Sequence, residues 1–508
     1  MISRENILSG IKLPKDLRVG RIEESSTLPE KILQFGEGNF LRAFVDYMVD
    51  ELNSQNLFNG SVVVVQPIKN GLADEINKQD GLYTVVLRGL EEGKEVSDKK
   101  LVTSISRAIN PYDNFTSYIE CANNPDLRFV VSNTTEAGIT YNDSDKLSDK
   151  PQNSFPGKVT AFLYERFNYF KGAEDKGLVF IPCELIDNNG TALKEIVLRY
   201  AQVWNLGQDF ITWVTNHNYF TNTLVDRIVT GYPAEEADQF TEELGYKDKL
   251  LNTAEIFHFW VIEGADHLSE EIPFHKVGLN VLWTDNATPY KMRKVRILNG
   301  AHTMSVLLAY LAGKNTVLEI MQDEDFRKLL EKGLFDEIIP TLDLDYADLK
   351  SFADAVFDRF ANPYIRHLLL SISLNSVSKY RTRVLPSILE YYNRKDSVPE
   401  VLAFSFAGLL AFYRGSEIRD NVLIGARGSE QYNISDDIEV LELFKSLWAS
   451  CDLSESGVQN FVTSICADTN LWGANLNDLP GFNDAVSKYL LGILENGALA
   501  EVKKLVGN

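Results

Sequence analysis

The amino-acid sequence predicts an α/β fold: an N-terminal half built on a mostly parallel β-sheet, followed by a mainly α-helical C-terminal half. Three observations predict it. Up to about residue 286, short β-branched and apolar runs alternate with helical stretches, the pattern of parallel strands joined by crossover helices. From about Ala287 onward the apolar residues recur almost everywhere at helical spacing, as in TVLEIMQDEDFRKLLEKGLFDEII and DIEVLELFKSLWASC. The chain of 508 residues is long enough to bury two cores. Domains are therefore expected over 1–286 and 287–508.

The elements follow in order. KILQF, Lys31 to Phe35, is a short apolar run that ends in glycines. After it, Phe40, Phe44, Tyr47, Met48 and Leu52 recur at helical spacing. SVVVVQ, Ser61 to Gln66, is a β-branched run suited to a buried parallel strand. YTVVLRG, LVTSISRAI, LRFVVSNTT and GLVFIPCELI read as further strands, each of the last three as one. In the second half, Val401 to Tyr413 is the longest apolar stretch; it is too short to span a bilayer and reads as a buried helix.

Composition excludes several function classes. The formal net charge is −22, which repels phosphate backbones and anionic lipid, so neither nucleic acid nor membrane is an expected partner. Any anionic ligand must instead meet a local concentration of positive charge. The four cysteines show no CxxC spacing, which argues against a zinc ribbon or disulfide framework and for a reducing, cytoplasmic setting. The first residues, MISRENILSG, contain no apolar signal region. None of the six histidines forms an HExxH or other close ligand pair, so no metal site is expected. No repeat or heptad run declares an oligomeric state.

The candidate cofactor site is Gly36-Glu37-Gly38-Asn39-Phe40, after a strand and before a helix. Gly36 would allow the tight turn, and Gly38 would let backbone amides at the helix start approach a pyrophosphate. Arg42 would add a cation in the first turn. Leu41 stands where a third glycine would complete the dinucleotide fingerprint, and taken alone the motif is equally a plain strand–turn–helix. The second strand ends in Gln66, which can hydrogen-bond a ribose diol but leaves NAD against NADP open. Ser132, Asn133, Thr134, Thr135 and Glu136 follow another strand, where a doubly wound sheet lines its cofactor crevice; as a bare sequence they are equally a polar loop.

The chemistry is expected in KMRKVRILNGAHTMSVLLAYL, Lys291 to Leu311. Lys294, Asn299 and His302 stand at i, i+5 and i+8, within an arc of about 140° on a helix. A lysine with a lowered pKa can move the hydroxyl proton as hydride leaves or arrives, and Arg293 and Arg296 are neighbouring cations in sequence. An Asn amide can polarise a carbonyl oxygen, and a His can orient it. The same residues also suit a solvated lysine, an Asn-Gly turn and a core histidine.

KVRILNGAH, with its K-x4-N-x2-H spacing, resembles the signature of the polyol-specific long-chain dehydrogenases, the mannitol dehydrogenase family. GEGNFLRAF is similar to that family's cofactor turn, which itself lacks the third glycine, and NTLVDRI and SNTTEAG match as well. The resemblance implies a Rossmann-type N-terminal domain, NAD(H) as cofactor, and a metal-free centre of Lys294, Asn299 and His302 with Lys294 as general acid and base. IPCELIDNNG, SFPGKVT, HFWVIEG and NPYIRHLLLSISLNSVSKYRTRVLPS resemble a branch that interconverts D-tagaturonate and D-altronate in hexuronate catabolism. One departure stands out. The family carries an Asn in a CDN segment beside the substrate oxygen, where this sequence has Cys183-Glu184-Leu185. Asn189 is the expected substitute. Asp226 would either tune Lys294 or pair with Arg227.

A sugar-acid substrate needs cations for its carboxylate. Arg366, Lys379 and Arg383, close together in sequence, are the candidates, against the plain reading as solvated surface charges. Alternatives left standing are a sibling fructuronate (mannonate), mannitol or mannitol-phosphate enzyme, and a non-catalytic NADH-binding sensor.

Overall fold

Six parallel strands form the principal sheet of the first half: β1 (Glu30–Phe35), β2 (Ser61–Val65), β3 (Ile105–Ile109), β4 (Phe129–Ser132), β5 (Val179–Pro182) and β6 (Tyr219–Phe220). They lie in the order β3-β2-β1-β4-β5-β6, with every neighbouring pair parallel. This is the doubly wound nucleotide-binding order, in which ligands bind beyond the strand C-termini where the order reverses, between β1 and β4. In the computed structural model, which describes residues 2–135 and 137–507, the apolar runs are continuous because both faces are covered. Ile32, Val62, Val64, Val131 and Ile181 face one core with Phe44 and Met48. Leu33, Phe35, Val63, Val65, Val130 and Phe180 face the other with Phe155, Val159 and Phe162.

Two expected strands behave differently. YTVVLRG belongs to Tyr83–Glu91 of a second, five-stranded sheet, next to Lys94–Val102 on one side and Asn252–Ala254 on the other. LVTSISRAI is not one strand but the end of Lys94–Val102 and the whole of β3, in different sheets. The break is pinned from the helix that follows β1. The Thr103 amide and hydroxyl donate to Asp50 Oδ1 at 2.8 and 2.7 Å, and the Ser104 hydroxyl donates to the Asp46 carbonyl at 2.8 Å. GLVFIPCELI keeps only Val179–Pro182 as strand.

By packing, the chain divides into two units, Met1–Gly89 with Glu95–Ala287, and Leu90–Lys94 with Thr288–Asn508. The second unit is mainly helical. Its centre is Glu400–Phe412, in which every residue from Val401 to Phe412 is buried, packed against Gly300–Leu311 and Phe482–Asn496. It also contains a three-stranded antiparallel sheet that the helical periodicity did not announce: Gly415–Arg419, Val422–Arg427 and Glu430–Ile434. Its first turn is a two-residue hairpin loop, Asp420-Asn421, with φ of +51° and +62°. Asp and Asn tolerate that left-handed geometry, which matches strand twist. Among the described residues no helix is long and apolar enough to cross a membrane.

Candidate active site

The glycine turn is built for close approach. Gly36 has φ +121°, and a Cβ there would meet the Asn133 carbonyl oxygen at 3.0 Å. The Gly36 amide donates to the Val65 carbonyl, and the Asn133 amide to the Phe35 carbonyl, so the turn is held from both neighbouring strands. Gly38 caps the helix that begins at Asn39, no side-chain oxygen caps that start, and a Cβ on Gly38 would meet nothing within 4 Å. Open space in front of uncapped helical amides fits a pyrophosphate. Asn39 and Phe40 open the helix, and Phe40 stacks on Phe44 at 4.9 Å.

Two of the expected cofactor contacts turn inward instead. Arg42 is buried and donates to the carbonyls of Glu37 and Leu250 and to Asn39 Oδ1. It braces the turn rather than offering its charge to a phosphate. Gln66 donates to the carbonyls of Ile68 and Lys69 and accepts from the Ala73 amide. Its amide closes its own loop and is not available to a ribose. Glu37, buried within the turn, has its carboxyl pushed up by desolvation.

The loop after β4 is organised by Glu184, the middle residue of the segment that departs from the family's CDN. Glu184 accepts from the Ser132 hydroxyl at 3.1 Å and from the Thr134 amide and hydroxyl at 3.0 and 2.9 Å. Burial pushes its carboxyl up. Asn133 donates to the Cys183 carbonyl, and Thr135 adopts φ +76°. Glu136 lies outside the described residues.

Asn189, the residue expected beside the substrate oxygen, opens the helix Asn189–Val203 just after β5. It is fully buried; its Nδ2 donates to the carbonyls of Pro182 and Glu184 at 3.0 Å, and its Oδ1 accepts from the amides of Gly190 and Thr223 at 2.9 Å. With both ends of the amide engaged, it ties the end of β5 to the strand Asn222–Asp226. Asp226 closes that strand opposite Phe259 and is buried. The neighbouring Arg227 donates to the carbonyls of Ala43, Glu255 and Ile256.

In the second unit the helix from Thr288 to Leu311 is interrupted by a π-helical stretch, Lys294–Asn299. The arc of about 140° assumed α-helical geometry. In a π turn the hydrogen bonds close from i to i+5, so residues five apart stack roughly one above the other. Lys294 and Asn299 therefore share one line of the helix, and His302 follows one α turn on. Arg293 and Arg296 leave in other directions. Arg293 lies over the Phe352 ring at 4.5 Å, and Arg296 donates to the Ser387 hydroxyl at 2.9 Å.

His302 is the best-defined point of this site. Its ring packs on Phe360 at 4.1 Å and meets His367 edge-on at 5.1 Å. Its Nδ1 is buried with no hydrogen-bond partner. Burial first, then the charges of His367, Arg359, Arg383 and Lys379, hold the imidazole well below its usual range. It is a neutral ring with the cations Arg359, Arg383 and Lys379 in its surroundings, and burial lowers the pKa of His367 as well. Lys379 and Arg383 come from one face of Ser376–Arg383, spaced i and i+4. Their own pKa values are lowered by burial, and Lys379 also by Arg383. Arg366 is exposed on a loop and is not among these charges. Arg359, from the end of Tyr346–Phe360, and His367 are the further groups near His302. The sequence signal for Arg359 was only its position before a helix-terminal aromatic. Among the described residues no group of three or more His, Cys, Asp or Glu gathers to hold a metal ion.

Residues 30–276 match the Mannitol dehydrogenase Rossmann domain, and residues 286–494 the Mannitol dehydrogenase C-terminal domain. Altronate oxidoreductase of Escherichia coli O7:K1 (strain IAI39 / ExPEC) is 48% identical over 478 residues, which is 94% of this chain and 97% of that protein. Its counterpart in Escherichia coli O139:H28 (strain E24377A / ETEC) matches to the same extent. Among solved structures, substrate-free D-sorbitol dehydrogenase has a TM-score of 0.80 at 22% identity, covering 99% of this chain and 100% of that one. Pseudomonas fluorescens mannitol 2-dehydrogenase, in a ternary complex with NAD and D-mannitol, has a TM-score of 0.66 at 22% identity, covering 100% and 99%. Both structures share the fold, and the two domain matches together span most of the sequence. The chain belongs to the mannitol dehydrogenase family.

Proposed function

We propose that this oxidoreductase interconverts D-tagaturonate and D-altronate with NAD(H), without a metal ion, and with Lys294 as general acid and base. The observation that carries the reading is the surroundings of His302. The helix that presents Lys294 and Asn299 also presents a neutral imidazole whose surroundings include the cations Arg359, Lys379 and Arg383. A neutral polyol needs no such cations, whereas a hexuronate brings a carboxylate that cations hold. The Escherichia coli relatives bear the name altronate oxidoreductase, which agrees with it.

The cofactor supplies or accepts the hydride. The chain's own residues do the rest. Gly36 and Gly38 give the turn the open approach that a pyrophosphate requires. The Asn299 amide donates to the ketone oxygen, drawing charge onto it as the carbonyl carbon takes up hydride. The Lys294 ammonium then gives its proton to that oxygen, so the ketone becomes the alcohol; in reverse the Lys294 amine removes the hydroxyl proton. His302, kept neutral, orients the same oxygen without competing for the proton.

The test is NADH oxidation in the presence of EDTA, with tagaturonate, fructuronate, fructose and fructose 6-phosphate offered separately. A rate on tagaturonate well above the others is expected. A preference for another ketose overturns the substrate, and no rate on any of them overturns the reaction. Lys294→Ala is expected to lower kcat by about 10²–10⁴-fold, the usual contribution of a general acid–base group, with NADH affinity nearly unchanged. Near-normal turnover in that variant removes Lys294 from the mechanism.

A further inference from the structure

The second unit contains a cavity of about 730 Å³ between the hairpin sheet and the helices Ile438–Ser450 and Phe482–Asn496. That volume suits a small metabolite. Its one link to the Lys294 helix is Leu311, the last residue of that helix. At the helical rise this is about 25 Å from Lys294 along the axis, so the cavity is not part of the catalytic site.

Its lining is unusual for this chain, which has 72 acidic residues against 50 basic ones. Arg414, Arg427 and Lys445 face the cavity, and among the described residues no Asp or Glu lines it. Arg427 is fixed by the carbonyls of Tyr310 and Lys314 and by Glu430. Arg414 lies over the Trp448 ring at 5.7 Å. Among the described residues neither Arg414 nor Lys445 forms an ion pair. Gathering cations on a concave wall costs mutual repulsion, which a bound anion relieves. With Arg427 already paired to Glu430, the charges of Arg414 and Lys445 still exceed what one carboxylate needs and match a group of two charges. Trp448, Ile424, Leu311 and Ile493 leave the remaining wall apolar. The Gly497–Ala498 rim adds the start of the helix Ala498–Val506, which no side chain caps.

We propose that this cavity is a second ligand site, for a phosphorylated small molecule of about mononucleotide size, with its phosphoryl group on Arg414, Arg427 and Lys445 and its body on the apolar wall. The site is independent of the assignment of the catalytic substrate.

The test uses the full chain with NADH at saturation, so that the cofactor turn is filled. Pyrophosphate, AMP and citrate are titrated separately by calorimetry, on the wild type and on an Arg414→Gln/Lys445→Gln variant. The expected result is one saturable site per chain for AMP or pyrophosphate, with Kd raised about tenfold or more in the variant, as the loss of charge-assisted bonds implies. Tighter AMP assigns an organic phosphate, and tighter pyrophosphate an inorganic one. The variant's ketose reductase activity, whichever substrate it prefers, should be unchanged, which also reports that it folds. Three outcomes overturn the proposal: no saturable binding of either phosphate below about 1 mM, binding equal in the variant, or binding of citrate alone.

Discussion

Asn189 shows how much the type of a single side chain leaves open. An amide near the end of β5 suits an oxyanion, but here it accepts and donates entirely within the protein. Its replacement separates the two roles. Asn189→Ala leaves several buried groups without partners, each costing about 1–3 kcal/mol, so a loss of about 2–4 kcal/mol is expected. Denaturant unfolding should show that loss, while the protein that remains folded keeps a kcat within a few-fold of wild type. Unchanged stability with a collapse in kcat would return Asn189 to the catalytic set. Gln66 and Arg42 teach the same lesson. Residue type and position were legible in the sequence, but the direction of each side chain was decided by carbonyls that only the folded chain brings near. Glu184 is the converse. The family's asparagine falls at Leu185 beside it, yet Glu184 organises the Ser132–Thr134 loop.

At the scale of elements, the helix Asn39–Ser54 carries an unusual burden. Asp46, within its π-helical stretch Arg42–Asp46, is completely buried, accepts from the Gln34 amide at 3.0 Å, and has its carboxyl pushed up to about 7 by desolvation. An unfolded Asp titrates near 3.9. The folded state therefore binds more protons between these two values, and the stability this group contributes is greatest at or below about pH 4 and is lost as pH rises to about 7. Asp46→Asn removes that dependence. Its Tm relative to wild type should rise from pH 5 to pH 8; a flat difference would mean that Asp46 stays ionised. Strands were the more legible elements, because β-branched runs covered on both faces leave a clear pattern, as in Ser61–Val65. The break at Thr103–Ser104 was not legible, since it depends on hydroxyls reaching Asp50 and the Asp46 carbonyl from another element. The hairpin sheet was missed because its strands are half exposed, although Asp420-Asn421 was a turn signal in plain view.

For the whole molecule, the strongest general property is its charge. A net −22 repels a sugar acid at long range, while the cations around His302 attract it only at short range. Salt screens the first before the second, because the screening length falls from about 30 Å at 0.01 M to about 8 Å at 0.15 M. At saturating NADH, kcat/KM for the sugar acid should rise over that range, by about two-fold or more, whereas a neutral ketose should show little change. A fall for the acid would mean that local attraction governs its capture. The division into an α/β half and a helical half was legible from periodicity alone; the grouping of Leu90–Lys94 with the helical half was not, since nothing local in a hairpin tip says where it packs. The π turn at Lys294–Asn299 has a last consequence. It holds one residue more than an α turn needs. Gly300 onward keeps its phase with the buried core, and the surplus is absorbed just before it. Omitting that residue would leave the packed segment in register and swing Lys294 by about 100°. The helix thus works as a vernier, on which inheritance can re-aim the reactive end in single-residue steps while the scaffold end stays still.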